Sequence, residues 1–154
     1  MAAGDIKWFA QGLLDMGKKL HDLSADTIKL GIITNAATPA LSTADPRWGA
    51  GGTTNFSTNQ VATGGSSYTG PLTLASVTWT LVANVPTFRA TDPVLVQDAA
   101  GFTNGFWGII YNDTDAGKRC LCFVEFNTAR SLVAGGLTIN FGGAGTDIVK
   151  ITAT

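Results

Sequence analysis

Histidine occurs once in this chain, cysteine twice and charged residues at only 14%, against about 25% in an average soluble domain. Each scarcity removes a class of function. A hydrolytic triad needs a base beside its nucleophile, and His21 is the sole histidine. It stands next to Asp22 on the polar side of a helical pattern, where a solvated surface role is expected, and no GxSxG elbow accompanies it. Zinc lacks ligands, since Cys120 and Cys122 lie far from His21 and without paired spacing, so neither metal nor cofactor is expected. The two cysteines are expected on the same side of one strand, where a bridge between them would be strained, and they read as buried free thiols. The formal net charge is −1 and no basic run exceeds Lys18-Lys19, which argues against nucleic acid as a partner. No run approaches the roughly eighteen apolar residues of a membrane span. The N-terminus also lacks the compact apolar core of a secretion signal, so the expectation is a soluble protein made in the cytoplasm.

What the chain does have is uncharged bulk. Hydrophobic residues make up 45% and mean hydropathy is +0.20, a composition that leaves uncharged surface for contact with other subunits. At 154 residues it is read as a single domain, 1–154. The clearest element is Phe106 to Phe126, two runs rich in aromatic and β-branched residues around a polar turn, which predicts a hairpin buried on both faces. Residues 5–23 predict an amphipathic helix. Asp5 would cap it, and Ile6, Phe9, Leu13, Met16, Leu20 and Leu23 form an apolar stripe that lies on its own sheet or on a neighbour. Ile28, Leu30 and Ile32 alternate as a strand.

Residues 36–70 are dominated by Gly, Thr, Ser, Asn, Ala and Pro, a long loop of the kind that is either disordered or used for binding, with one short strand about Val61. From 71 to 152 the β rhythm returns: Leu72 and Leu74, then Val77, Trp79 and Leu81, then Phe88, Val94 to Val96, the hairpin, Leu137 to Phe141, and Ile148, Val149 and Ile151. The fold class predicted is mainly β, an antiparallel β-sandwich or jelly-roll-like barrel with an N-terminal amphipathic helix.

Few constellations offer chemistry. Gly64-Gly65-Ser66-Ser67-Tyr68-Thr69-Gly70 looks like a phosphate cradle but lacks the P-loop lysine and a following helix, and reads as a flexible loop. Asn112, Asp113 and Asp115 invite a calcium reading, yet the spacing is not that of an EF-hand and the same residues suit a hairpin turn. Asp45, Asp92, Asp98 and Glu125 are the carboxylates that could pair for glycoside hydrolysis, and nothing in the order of residues selects two of them. Arg47 and Trp48 belong to residue types that dominate interface hot spots. They are taken, with Phe56 and Trp8, as candidate partner-contact residues, the alternative being that Trp48 folds back and plugs the core.

Over nearly its whole length the chain resembles small virion proteins of tailed bacteriophages. The resemblance is carried by Asp26-Thr27-Ile28-Lys29-Leu30-Gly31-Ile32-Ile33, Tyr68-Thr69-Gly70, Leu74-Ala75, Gly108-Ile109-Ile110-Tyr111-Asn112-Asp113-Thr114 and Leu137-Thr138-Ile139-Asn140-Phe141. It implies a non-enzymatic structural component of the virion; taken together with the low charge, the abundant Gly and Thr, the long loop and the free amphipathic helix, the capsid surface is the first expected location. Its partners would be the major capsid protein or other virion proteins, and its own copies in a homo-oligomer. A capsid decoration or cement protein is the leading expectation. A tail, head-tail adaptor or fibre-attachment component comes second, and a carbohydrate-binding or hydrolytic module for the host surface third.

Overall fold

The computed structural model describes residues 6–142 and 147–150. In chain order these hold β1 (Lys7–Trp8), α1 (Ala10–Gly17), β2 (Ile28–Ile33), β3 (Pro46–Arg47), β4 (Thr54–Asn55), a 3-10 turn at Phe56–Asn59, β5 (Leu72–Thr73) and β6 (Thr78–Val82). Then follow β7 (Val85–Arg89), β8 (Val94–Leu95), β9 (Gly105–Asn112), β10 (Cys120–Arg130), β11 (Leu137–Thr138) and β12 (Asp147–Lys150). The protein is mainly β, as the residue pattern predicts, with one short helix among the described residues. Five strands pair antiparallel in the order β1-β10-β9-β2-β5, an open sheet and not a closed barrel. β12-β7-β6 form a second sheet, β11-β8 a third, and β3 and β4 pair in parallel.

The predicted hairpin is the centre of the larger sheet. β9, β10 and β2 are rich in Ile, Val, Phe and Cys, residues that fit a pleated surface packed on both sides. On one face Ile28, Leu30, Ile32, Ile110, Leu121, Cys122, Val124 and Phe126 meet Phe88, Phe102, Phe141 and Ile148 from the rest of the chain, forming the larger core. On the other face Ile33, Ile109, Tyr111, Cys120 and Phe123 are covered by Phe9, Trp48 and Phe56, a second core.

The two cysteines do not share a side. The register steps from Cys120 opposite Tyr111 to Cys122 opposite Ile110, so Leu121 is an extra residue in a bulge. That insertion turns Cys120 into the second core and both Leu121 and Cys122 into the larger one. Both thiols are free and buried, and burial pushes both far up from the usual thiol range, which keeps them inert.

The long amphipathic helix is replaced by a strand and a short helix. Lys7 and Trp8 pair with Phe123 and Cys122, where they satisfy the free edge of β10. Asp5, the expected cap, lies outside the described residues, as does Ile151. α1 ends in a Schellman arrangement: Lys19 takes a left-handed conformation (φ 61°), its N–H donates to the Met16 carbonyl at 3.0 Å, and the Leu20 N–H donates to that of Asp15 at 3.0 Å. The buried side of α1 carries Gly12 and Asp15, while Leu13, Leu14 and Leu20 of the expected stripe or beside it are exposed. Gly12 sets this rotation, because a Cβ there would lie 2.8 Å from the Leu121 carbonyl oxygen. The helix therefore approaches β10 more closely than any larger residue allows.

Residues 36–70 are not a free loop. They lay Trp48, Phe56, Val61 and Tyr68 into the two cores, and Val61 is tied to β2 through its N–H, which donates to the Ile32 carbonyl at 3.1 Å. Tyr68 is fully buried, and its hydroxyl accepts the Ile32 N–H at 2.9 Å and the Gln60 amide at 3.3 Å. Trp48 stacks on Tyr111 with ring centroids 5.3 Å apart and planes 5° from parallel. Beneath it sits Gly31, where a Cβ would come within 2.1 Å of the indole.

Trp48→Ala should lower unfolding free energy by about 3–5 kcal/mol. Gly31→Ala, which overpacks the same spot, should cost about 1–3 kcal/mol. In a urea-denaturation double-mutant cycle the glycine substitution should cost much less once the indole is gone; additive effects would show that the ring does not press on Gly31.

Candidate functional site

The densest polar arrangement among the described residues is the end of the β9-β10 hairpin, where strands, helix and connections all converge on residues 112–119. Asn112 closes β9 and is buried. Its Oδ1 accepts the N–H groups of Thr114 at 2.9 Å and Asp115 at 3.1 Å, an Asx turn that also fixes which way the amide points. The Nδ2 then faces Asp26 Oδ2 at 2.6 Å and His21 Nδ1 at 3.0 Å. Because both carbonyl lone pairs of Asn112 are taken by backbone, its amino group must be the donor, and His21 Nδ1 must be an acceptor. The imidazole is therefore neutral, with its proton on Nε2.

The carboxylates that raised the calcium reading are consumed by ion pairs. Asp113 pairs with Lys29 at 2.8 Å and with Lys118; burial would raise its pKa, but the two ammonium groups bring it below the ordinary value. Asp115 accepts both the N–H and the guanidinium of Arg119, whose Nε also lies 3.6 Å from the buried Asp15. No cluster of His, Cys, Asp or Glu suited to a metal ion occurs among the described residues. The arrangement ties the turn to α1, to the connection before β2 and to β2 itself, and its chemistry is structural.

His21, expected on the surface, is half-buried in this cluster. Burial lowers its pKa, and Arg119 acts in the same direction; Asp15, Asp115 and Asp26 oppose them.

The expected partner-contact residues are mostly spent internally. Trp48 and Phe56 are buried in the second core, so the plug alternative holds for Trp48 and neither ring offers surface to a partner in this fold. Arg47 grips Asp45 through Nε at 2.9 Å and Nη2 at 3.2 Å, and donates from Nη1 to the Gly117 carbonyl at 3.3 Å, which fastens β3 to the hairpin turn. Trp8 is partly buried and stacks on Phe88 with centroids 6.2 Å apart. The carboxylates suggested for glycoside hydrolysis serve separate places: Asp45 holds Arg47, Asp92 accepts the Phe141 N–H at 2.8 Å, and Glu125 is exposed on β10.

Asp98 accounts for the glycine-rich stretch. Its carboxylate accepts the N–H groups of Ser67 at 2.9 Å and Ala100 at 3.0 Å together with the N–H and hydroxyl of Ser66, and these hold its pKa at about 2. Gly65 leaves the space, since a Cβ would lie 2.6 Å from the carboxylate. The segment, expected to be a flexible loop, instead has its backbone donors taken by a carboxylate of the same chain.

Several large apolar side chains remain accessible. Leu13, Leu14 and Leu20 stand exposed on and after α1, and Leu41 joins them where its carbonyl accepts the Ala10 N–H at 2.9 Å. Val94 and Val96 are 67% and 66% exposed about β8, with Val133 nearby because Gln97 Nε2 donates to its carbonyl at 3.0 Å. Leu81 on β6 is 68% exposed. The sequence reading missed these residues, having assigned Leu13 and Leu20 to the buried stripe.

The neutral imidazole has a consequence for stability. A base whose folded pKa lies below its unfolded value contributes stability that is complete above about pH 6.5 and is lost as pH falls through that value toward the folded pKa. The melting temperature should therefore drop between about pH 7 and pH 5. In His21→Gln, which keeps an acceptor without a titrating group, this drop should be largely absent. As the chain has one histidine, its NMR titration is unambiguous; a pKa at or above about 6.5, or a proton on Nδ1, would refute the geometry.

No protein-family model, curated protein or solved structure matches this chain. The functional reading therefore rests on its own residues and on the resemblance they carry.

Proposed function

We propose that this chain is a structural subunit of a tailed-phage virion, acting as a decoration or cement protein that binds across capsomer junctions on the capsid surface. The observation that carries the reading is the contrast between committed polar groups and uncommitted apolar ones. The hairpin-turn ions and the Asp98 cradle are satisfied within the chain, while Leu13, Leu14, Leu41, Val94, Val96 and Leu81 stay exposed. Such surface suits a subunit that meets several neighbours, and the resemblance to virion proteins supplies the kind of neighbour. A protein that binds the assembled shell and not its separated subunits shifts the equilibrium toward the shell by mass action. Burial of Trp48 leaves the carbohydrate-module reading with Trp107, on β9 and only partly buried, as its remaining aromatic platform.

Particles lacking the protein should break at lower temperature than complete ones, and added purified protein should restore them. Leu41→Glu should abolish that rescue while leaving the subunit's own melting temperature within a few degrees, as the side chain is exposed. Unchanged particle stability without the protein would remove the cement role, and attachment confined to the tail would favour the adaptor alternative.

A further inference from the structure

Among the described residues β6 is an outer edge of its sheet, paired to β7 alone. Its hairpin turns through Ala83 and Asn84, both with positive φ (49° and 65°), the two-residue turn whose closing pair, Val82 and Val85, exchanges both backbone hydrogen bonds. Alternation along the strand then directs the N–H and C=O groups of Val82, Thr80 and Thr78 toward β7, and those of Trp79 and Leu81 away from it. Pro86 agrees with this phase: it stands opposite Leu81 in a pair without ladder hydrogen bonds, where its missing N–H costs nothing.

Edge strands are usually blunted by charge, proline, a bulge or shortness. Other edges have such devices: β1 spans two residues and carries Lys7, β5 spans two, and β12 breaks register against β7 between Asp147 and Val149. β6 reads Thr-Trp-Thr-Leu-Val over five residues, with no charge, no proline and no register break against β7.

We infer that β6 pairs antiparallel with β6 of a second copy, about a two-fold axis at Thr80, joining two three-stranded sheets into one continuous sheet. The register follows from which groups point outward. Centred on Thr80, Trp79 of each copy lies opposite Leu81 of the other, and these are the residues with free outward N–H and C=O groups, so each pair exchanges two hydrogen bonds. No like charges meet. Trp79 packs against the larger core, and Leu81, the most exposed large hydrophobic residue among those described, is laid beside the other copy's indole. The two Thr80 side chains meet on the opposite face, a favourable cross-strand pair. This inference does not rest on the virion reading, and its sedimentation and cross-linking tests need no particle.

Sedimentation of the purified chain should show a concentration-dependent dimer. Thr80→Lys, which puts two ammonium groups face to face on the axis, should weaken the dimer at least about tenfold without changing the thermal melt of the subunit. Thr80→Cys should give a disulfide-linked dimer under mild oxidation, because directly opposed Cβ atoms lie about 4.5–5.5 Å apart, whereas Thr78→Cys should not. The native cysteines are buried and will not compete. A monomer at all concentrations with no Thr80→Cys cross-link overturns the inference, as does preferential cross-linking at Thr78→Cys. A monomer whose binding to shells is abolished by Thr80→Lys would assign the edge to a strand of another protein and equally overturn self-pairing.

Discussion

A sheet with two apolar faces must be covered twice, and this constraint organises the molecule. β9, β10 and β2 present Ile, Val, Phe and Cys to both sides. With a single helix of eight residues among the described elements, the chain cannot cover a face with helices. The smaller sheets cover one side. The other is closed by aromatic residues brought in from segments of little regular structure: Phe9 before α1, Trp48 beside β3 and Phe56 in the 3-10 turn. Phe9 lies between Phe56 and Phe123, with ring centroids 5.7 and 4.8 Å away, so the three rings act as one plug. Glycine makes this economical packing possible, because Gly31 and Gly12 let an indole and a helix backbone come closer to the sheet than side chains would permit.

Polar groups follow the same economy. Irregular segments leave backbone donors without a ladder, and those donors must be met. Asn112 meets two in the hairpin turn, Asp98 meets those of the glycine-serine stretch, and the Tyr68 hydroxyl meets one from β2. Each is a side chain standing in for a missing strand. The single histidine is drawn into this scheme as an acceptor, which makes a surface-looking residue into part of the joint between the N-terminal segment and the central hairpin.

The outside keeps several apolar side chains in solvent. The ionic residues of the turn neutralise one another, so the surface offers apolar side chains about α1, β8 and β6 together with one unguarded strand edge. A sheet covered on both faces, with apolar side chains left outside, accords with the subunit role proposed above.

The sequence by itself determined the β class, the buried hairpin of Phe106 to Phe126, the Ile28 strand and most of the short strands after residue 71. Their signal is the alternation of side chains along a strand, a geometry complete within a few residues. The same local reading predicted a helix over 5–23, placed Cys120 and Cys122 on one side, put His21 in solvent and gave Trp48 an even chance of being exposed. Only tertiary structure decided these. The helix face depends on the close approach of Gly12 to β10, the cysteines on one bulge residue against β9, and His21 on an asparagine 91 positions away. Trp48 is buried because a glycine on β2 leaves room for it. In each case the deciding contact joins residues distant along the chain, and periodicity holds no information about contacts of that kind.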